Sequence, residues 1–187
     1  MNNFVIDTHV HTAEISPCGK VNAETIVSMY KQAAYNAIII TDHFSNYYPV
    51  IRSSLSWKDK VDSFFRGYEL AAVYGNLCGL TVLPGLELSF DYDPNDYLVY
   101  GISKLWLYDH KNITNTSIKY FSNLIDGTNA LIVQAHPYRR GMKPQKPSYI
   151  HGLEVYNGNE RHDSRNGKAL KYAEKFNLIQ TSGSDFH

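Results

Sequence analysis

Five short segments of this sequence carry side chains able to bind a cation, and each sits where an apolar run stops or the chain ends. The first, Asp7-Thr8-His9-Val10-His11-Thr12, spaces Asp7, His9 and His11 two residues apart. Alternate side chains of an extended chain point the same way, so one segment can offer two imidazoles to one cation. The second is Thr41-Asp42-His43 after Ile38-Ile39-Ile40, and the third is Glu87 in Pro84-Gly85-Leu86-Glu87. His136-Pro137 follows Leu131-Ile132-Val133-Gln134-Ala135, and the chain closes on Ser184-Asp185-Phe186-His187, again with Asp and His two apart. A lone histidine at a strand end is ordinarily a hydrogen-bonded structural residue. That account fails for the set, because paired ligand types at the first and last strands, with His or Glu at three ends between, read together as a metal site.

The elements that must position these groups follow from short β-branched runs alternating with helical periodicity. Strands are expected over residues 4–9, 37–42, 80–87, 97–102, 130–134, 152–155 and 178–182. Most are continuous apolar runs, which suit parallel strands covered by helices on both faces. Helical patterns cover 23–36 behind an Asn22 cap, 57–78, 117–125 closed by Gly127, and 164–176 after Asp163. The connection from Leu88 to Asp96 is too short for a full helix. A single α/β barrel of seven strands accounts for this count better than an open sheet, and in a parallel barrel every strand ends on one face, where the five segments would converge.

The chain's 187 residues, 43% hydrophobic and 19% charged, suit a single domain over 1–187. Lys plus Arg and Asp plus Glu are both 18, giving zero formal charge and no electrostatic footprint for duplex nucleic acid or an anionic membrane. No apolar run approaches membrane-spanning length, and the N-terminal residues do not read as a secretion signal. Cys18 and Cys78 form no CxxC pair and no disulfide framework, which fits a reducing, cytoplasmic compartment. No Gly-x-Ser-x-Gly elbow or Cys/His protease signature is present, which agrees with metal-based chemistry that requires no side-chain nucleophile.

Taken in order, Asp7-Thr8-His9-Val10-His11-Thr12, Ile40-Thr41-Asp42-His43, Pro84-Gly85-Leu86-Glu87, Ala135-His136-Pro137, Gly152-Leu153-Glu154-Val155-Tyr156-Asn157 and Gly183-Ser184-Asp185-Phe186-His187 resemble the motifs of the PHP (polymerase and histidinol phosphatase) domain family over essentially the whole chain. The resemblance implies a distorted (β/α)7 barrel with parallel strands, similar to a TIM barrel. It also implies two or three divalent cations, zinc, manganese or iron, used to hydrolyse phosphate esters. Carried over, His9, His11, Glu87 and Asp185 hold one metal, Glu87 bridges to a second that His136 also holds, and His43 and His187 hold a third. The chain departs from the family in two places. Family members with three full sites carry another His where this chain has Glu14-Ile15-Ser16-Pro17-Cys18, and a His on the fourth strand where it reads Asp96-Tyr97-Leu98-Val99-Tyr100-Gly101. By that pattern the second and third sites each lack a ligand. Cys18 is either a soft donor in the gap or a buried inert thiol. Family members usually continue past the position of His187.

The catalytic candidates are His136, Asp42 and Arg139. Asp42 and Asp7 adjoin ligating histidines and can fix imidazole tautomers, although Asp42 can equally cap the following turn. Arg139, then Arg140, Arg161 and Arg165, present forked donors for phosphate oxygens. Tyr47, Tyr48, Tyr138 and Tyr156, near expected strand ends, either line a pocket or pack its rim. The expected function is a metal-dependent phosphoesterase that cleaves a phosphomonoester or phosphodiester with a metal-activated water. Its partner is a small phosphorylated substrate, with nucleic acid only as a substrate and no membrane. The alternatives are a degenerate metal-binding interaction module and a polymerase-associated nuclease-type PHP domain, the latter disfavoured by zero net charge and a single domain. The substrate itself and the oligomeric state are not legible in the residues.

Overall fold

A computed structural model describes residues 4–187; Met1 to Asn3, at the head of the segment read as lacking a secretion signal, lie outside the described residues. The first half runs β1 (Ile6–Val10), α1 (Ala23–Gln32), β2 (Ala37–Ile40), a short β3 (His43–Phe44), α2 (Pro49–Arg52), α3 (Trp57–Phe64), α4 (Arg66–Cys78) and β4 (Thr81–Ser89). The second runs β5 (Asp96–Tyr100), α5 (Lys104–Asp109), α6 (Ile118–Leu124), β6 (Leu131–Gln134), β7 (Gly152–Asn157), α7 (Asn166–Phe176) and β8 (Ile179–Gly183). The strands form one sheet in the order β1-β2-β4-β5-β6-β7-β8, with β3 paired to β4. The sheet curls until its first and last strands meet. Val10 bridges Phe186 in parallel, and Asp185 donates its amide to the His9 carbonyl at 2.9 Å. The result is the expected barrel. Among the described residues, no helix is long and apolar enough to cross a membrane.

One expectation about direction is corrected. β1, β2 and β4 run parallel, as do β6, β7 and β8, but β5 is antiparallel to both β4 and β6. A parallel return needs a crossover of a dozen or more residues, and the stretch from Phe90 to Asn95 can only turn back as a hairpin. The reversal puts the beginning of β5, not its end, at the face where its neighbours end.

Local chemistry accounts for the other differences. The Asn22 side chain caps α1 by accepting from the Thr25 amide, but α1 stops at Gln32 instead of reaching Asn36. Ala34 turns left-handed at φ +60°, and Asn36 is committed to the barrel floor, where its side chain accepts from the Val5 amide at 2.7 Å. The pattern over 57–78 is two helices. A Cβ on Gly67, in the first turn of α4, would stand 2.2 Å from Thr12 Oγ1 and 2.7 Å from Asp42 Oδ2. The helix must therefore start there afresh, with its backbone pressed on the loop that follows β1. The main core joins Phe44, Phe64, Leu86, Leu88, Tyr97 and Phe121, and a second joins Val10, Ile26, Ile38 and Ala71 under α1 and α4.

β8 meets β1 closely enough that a Cβ on Gly183 would stand 2.3 Å from His9 Cβ and 2.9 Å from Glu154 Oε1. Gly183→Ala is expected to cost about 1–3 kcal/mol, as overpacking of a filled interior usually does, and to weaken metal uptake by displacing His9. An unchanged denaturation midpoint with unchanged metal content would refute this closeness.

Candidate metal centre

β1 carries His9 and His11 to the barrel mouth, and both side chains are fully buried. His9 Nδ1 lies 2.9 Å from Glu154 Oε1; an ionised carboxylate only accepts, so this nitrogen holds the ring proton. His11 Nδ1 lies 3.3 Å from Ser16 Oγ, whose own proton goes to Asp42 Oδ1 at 2.7 Å. His11 therefore also donates from Nδ1. With both rings neutral, the two Nε2 atoms present lone pairs to each other at 3.0 Å. A cation between them turns that repulsion into coordination.

Two carboxylates surround the same point. Glu87 stands 3.4 Å from each Nε2, through Oε1 to His9 and Oε2 to His11, and Asp185 Oδ1 stands 3.6 and 3.4 Å away from the same two atoms. Four donors about 2.1 Å from one cation in a tetrahedron are about 3.4 Å apart. The spacing fits a small divalent ion. Nearby, His43 Nδ1 approaches Glu87 Oε2 to 2.8 Å without the alignment of a hydrogen bond. Neither of these buried atoms has a hydrogen-bond partner among the described residues.

Glu87 also belongs to a second group. His136 Nε2 is 3.1 Å from Glu87 Oε1 and 4.0 Å from Asp96 Oδ2. Ser89 Oγ donates to Asp96 Oδ1 at 2.6 Å, which turns Oδ2 toward the histidine. A third group gathers ring nitrogens of His11, His43 and His187 within reach of one ion, with the His11 ring stacked 4.4 Å from His43 and 4.2 Å from His187. Tyr48 lies flat on His43 at 4.3 Å. These groups open into a cavity of about 240 Å³ whose wall also includes Cys18, Arg139, Arg161 and His162.

The backbone at the mouth is strained. His136 has φ +27° and Asp185 φ +53°, a region that side chains other than glycine enter at a cost. Glu154 Oε2 accepts the His136 amide at 2.8 Å and holds it there.

All seven residues expected to hold metal are brought together at one end of the barrel. The remaining expectations divide. Asp42 lines no part of the cavity; it takes the Thr12 amide, the Thr12 hydroxyl and the Ser16 hydroxyl, each at 2.7 Å, and so acts on His11 only through Ser16. Burial raises its carboxyl to about 6 against the pull of those donors. Asp7 touches no ring, and instead binds the His9 and Ser184 amides and the Tyr30 hydroxyl. Arg139 does face the cavity, whereas Arg140 and Arg165 are exposed on the surface. Of the four tyrosines, Tyr48 alone lines the cavity. Cys18 is half-buried rather than sealed away. Burial works to raise its thiol, but His187 and His43 outweigh that and bring it down to about 6.

Two residues escaped the sequence reading. Glu154 stood inside a quoted motif, near the end of a strand, and its position was its only signal. Asp96 was hidden by the assumption of a parallel β5, which would have put it at the far end of the barrel.

No protein-family model matches the chain, and no curated protein does. Solved structures do. A two-domain protein from Bacteroides vulgatus containing a predicted PHP-like metal-dependent phosphoesterase superposes on 98% of this chain and 52% of its own, with a TM-score of 0.71 and 19% identity. The fold is that of the PHP-like proteins. A predicted metal-dependent phosphoesterase from Bifidobacterium adolescentis covers 98% of this chain and 88% of its own at TM-score 0.62 and 15% identity. An amidohydrolase from Chromobacterium violaceum, with bound sulfate and no metal, covers 97% and 87% at TM-score 0.62 and 16% identity. The chain thus spans about half the length of the first of these proteins.

Without metal, the cluster holds protons. Burial opposes charge on His9 and His43, but Glu154 and Glu87 raise the first well above its ordinary range, and Glu87 brings the second to about 10. Burial and the neighbouring His43 drive His11 down to about 3. His43 is charged throughout the range below about 10 and must lose its proton to bind a cation, so affinity should rise with pH across neutrality and fall on acidification. Calorimetric titration with Zn²⁺ or Mn²⁺ in buffers of different ionisation enthalpy should show proton release; heats independent of the buffer would refute it.

Proposed function

We propose that this chain is a metal-dependent phosphoesterase that hydrolyses a small phosphomonoester or phosphodiester with two or three divalent cations, zinc, manganese or iron, at the barrel mouth. The observation that carries this reading is the pair of buried Nε2 atoms facing each other at 3.0 Å between the carboxylates of Glu87 and Asp185. Bound cations would share the charge developing on the phosphoryl oxygens and make a water acidic enough to attack near neutral pH. The ligand roles of His9, His11, Glu87, His136, Asp185, His43 and His187 are part of the same proposal.

The chain's own residues then divide the work. Glu154 and Ser16 engage the Nδ1 atoms of His9 and His11, so both rings aim Nε2 at the mouth as the coordinating nitrogen. Arg139 Nη2 donates to Asp185 Oδ2 at 2.6 Å and to Asn157 Oδ1 at 3.1 Å, which holds Asp185 in orientation. Its Nε is buried without a partner among the described residues. That spare N–H suits an oxygen of a substrate phosphate. Arg161, on the same wall, adds positive charge toward an anionic ligand. Free cysteines and the absence of a spanning helix among the described residues agree with a cytoplasmic enzyme.

Release of p-nitrophenol from its phosphate ester by metal-free protein given back Mn²⁺ or Zn²⁺ tests the reading. Metal uptake with no turnover of monoesters or diesters would favour the interaction module. Cleavage confined to short oligonucleotides would favour the nuclease type, and cleavage of amides but not esters would favour an amidohydrolase. His136→Ala should lose about one metal equivalent and about a hundredfold or more in kcat while keeping its fold, because His136 stands at the mouth outside the apolar cores. Full activity in that variant would return His136 to a structural role.

A further inference from the structure

The second and third ligand groups differ in chemistry. Glu87 is common ground, since its Oε1 faces His136 at 3.1 Å and its Oε2 faces His43 at 2.8 Å, so it cancels from any comparison. What remains on one side is Asp96 with His136, an oxygen and a nitrogen. What remains on the other is His43 and His187, both nitrogen, with the Cys18 sulfur in the wall. Asp96 is placed for this by two independent features. The reversed β5 delivers its first residue to the cavity, and Ser89 occupies Oδ1, so that Oδ2 is the oxygen presented to His136. Glu87 Oε2, buried and without a hydrogen-bond partner among the described residues, points to a cation as the missing partner.

Resting on the phosphoesterase reading, we propose that this centre sorts its cations: Glu87, Asp96 and His136 form an oxygen-rich subsite that takes a hard divalent ion such as Mn²⁺, while the imidazoles of His43 and His187 form a subsite that retains Zn²⁺. Carboxylate oxygens suit manganese and magnesium, whereas imidazole suits zinc; zinc binds more tightly overall, so the discrimination lies in the ratio of affinities at each subsite. Exchanging Asp96 for a histidine would make the two subsites alike and abolish the sorting. The positions of the metals, rather than the rate of the loaded enzyme, report this directly.

The experiment loads metal-free protein with Mn²⁺ in large excess over Zn²⁺ and locates each metal by anomalous scattering at the two absorption edges, with total metal content measured in parallel. Manganese is expected beside Asp96 and zinc beside His43 and His187. In Asp96→His, zinc should replace manganese at the first subsite and the bound Mn:Zn ratio should fall about tenfold or more. In Asp96→Ala, manganese alone should be lost, with zinc and the far-ultraviolet circular dichroism retained. Equal metal mixtures at both subsites of the unmodified protein, or an unchanged ratio in both variants, would overturn the sorting while leaving phosphatase activity and the broader reading intact. Failure of the unmodified protein to bind any cation would overturn both.

Discussion

Two imidazoles whose outer nitrogens are already committed can meet in a dry interior only by sharing a proton or a metal cation. His9 is locked by Glu154 and His11 by Ser16, so their remaining nitrogens confront each other at 3.0 Å. Much of the surrounding architecture serves those two locks. Ser16 is oriented by Asp42, Asp42 is held by Thr12, and that loop is pinned beneath α4, where only a glycine at position 67 leaves room. On the other side, Gly183 lets β8 lie against His9 and keeps Glu154 at hydrogen-bond distance. A change at the floor of either lock reaches the ring nitrogens through rigid, fully buried contacts.

The same arrangement concentrates like charges that the fold tolerates only when they are compensated. Glu87, Asp185, Glu154 and Asp96 lie within a few side chains of one another and are mostly buried. Burying an isolated carboxylate is costly unless it is paired. Here the pairing is shared with histidines that are themselves buried, so protons and cations compete for one set of atoms. Folding, protonation and metal loading are therefore one linked equilibrium. The left-handed backbones of His136 and Asp185 belong to this balance too, since the hydrogen bonds that hold them come from Glu154 and from β1.

Much of this was legible in the sequence. Seven apolar runs mark the seven strands of the barrel path, and ligand types at their ends mark the face where they gather, because alternation and strand termini are local properties. The reversed strand was half visible: the shortness of the Leu88 to Asp96 connection ruled out a helix, yet its consequence for direction had to be drawn from chain geometry. Asp96 was lost with it. Glu154 differs in kind, since a carboxylate that grips one ring and one backbone amide is defined by contacts across the barrel, and no spacing along the chain encodes them. Asp42 looked catalytic by adjacency to His43; its real partners lie some thirty positions back, on the loop after β1.

The hairpin between β4 and β5 gives this barrel a point of evolutionary freedom on its working face. Most of the other segments there lead into parallel crossovers, and those that carry a helix have length and packing constrained together. The turn from Phe90 to Asn95 carries no helix, and chain closure in such a turn depends only weakly on its length. It nevertheless reaches both neighbouring rims: Asp91 accepts from Asn46, close behind His43, and Asn95 accepts from the Lys143 amide, beyond His136. Insertions at this one turn can recontour the rim above the metals while the barrel beneath keeps its register, so diversification of ligand preference among proteins of this build has a natural place to occur.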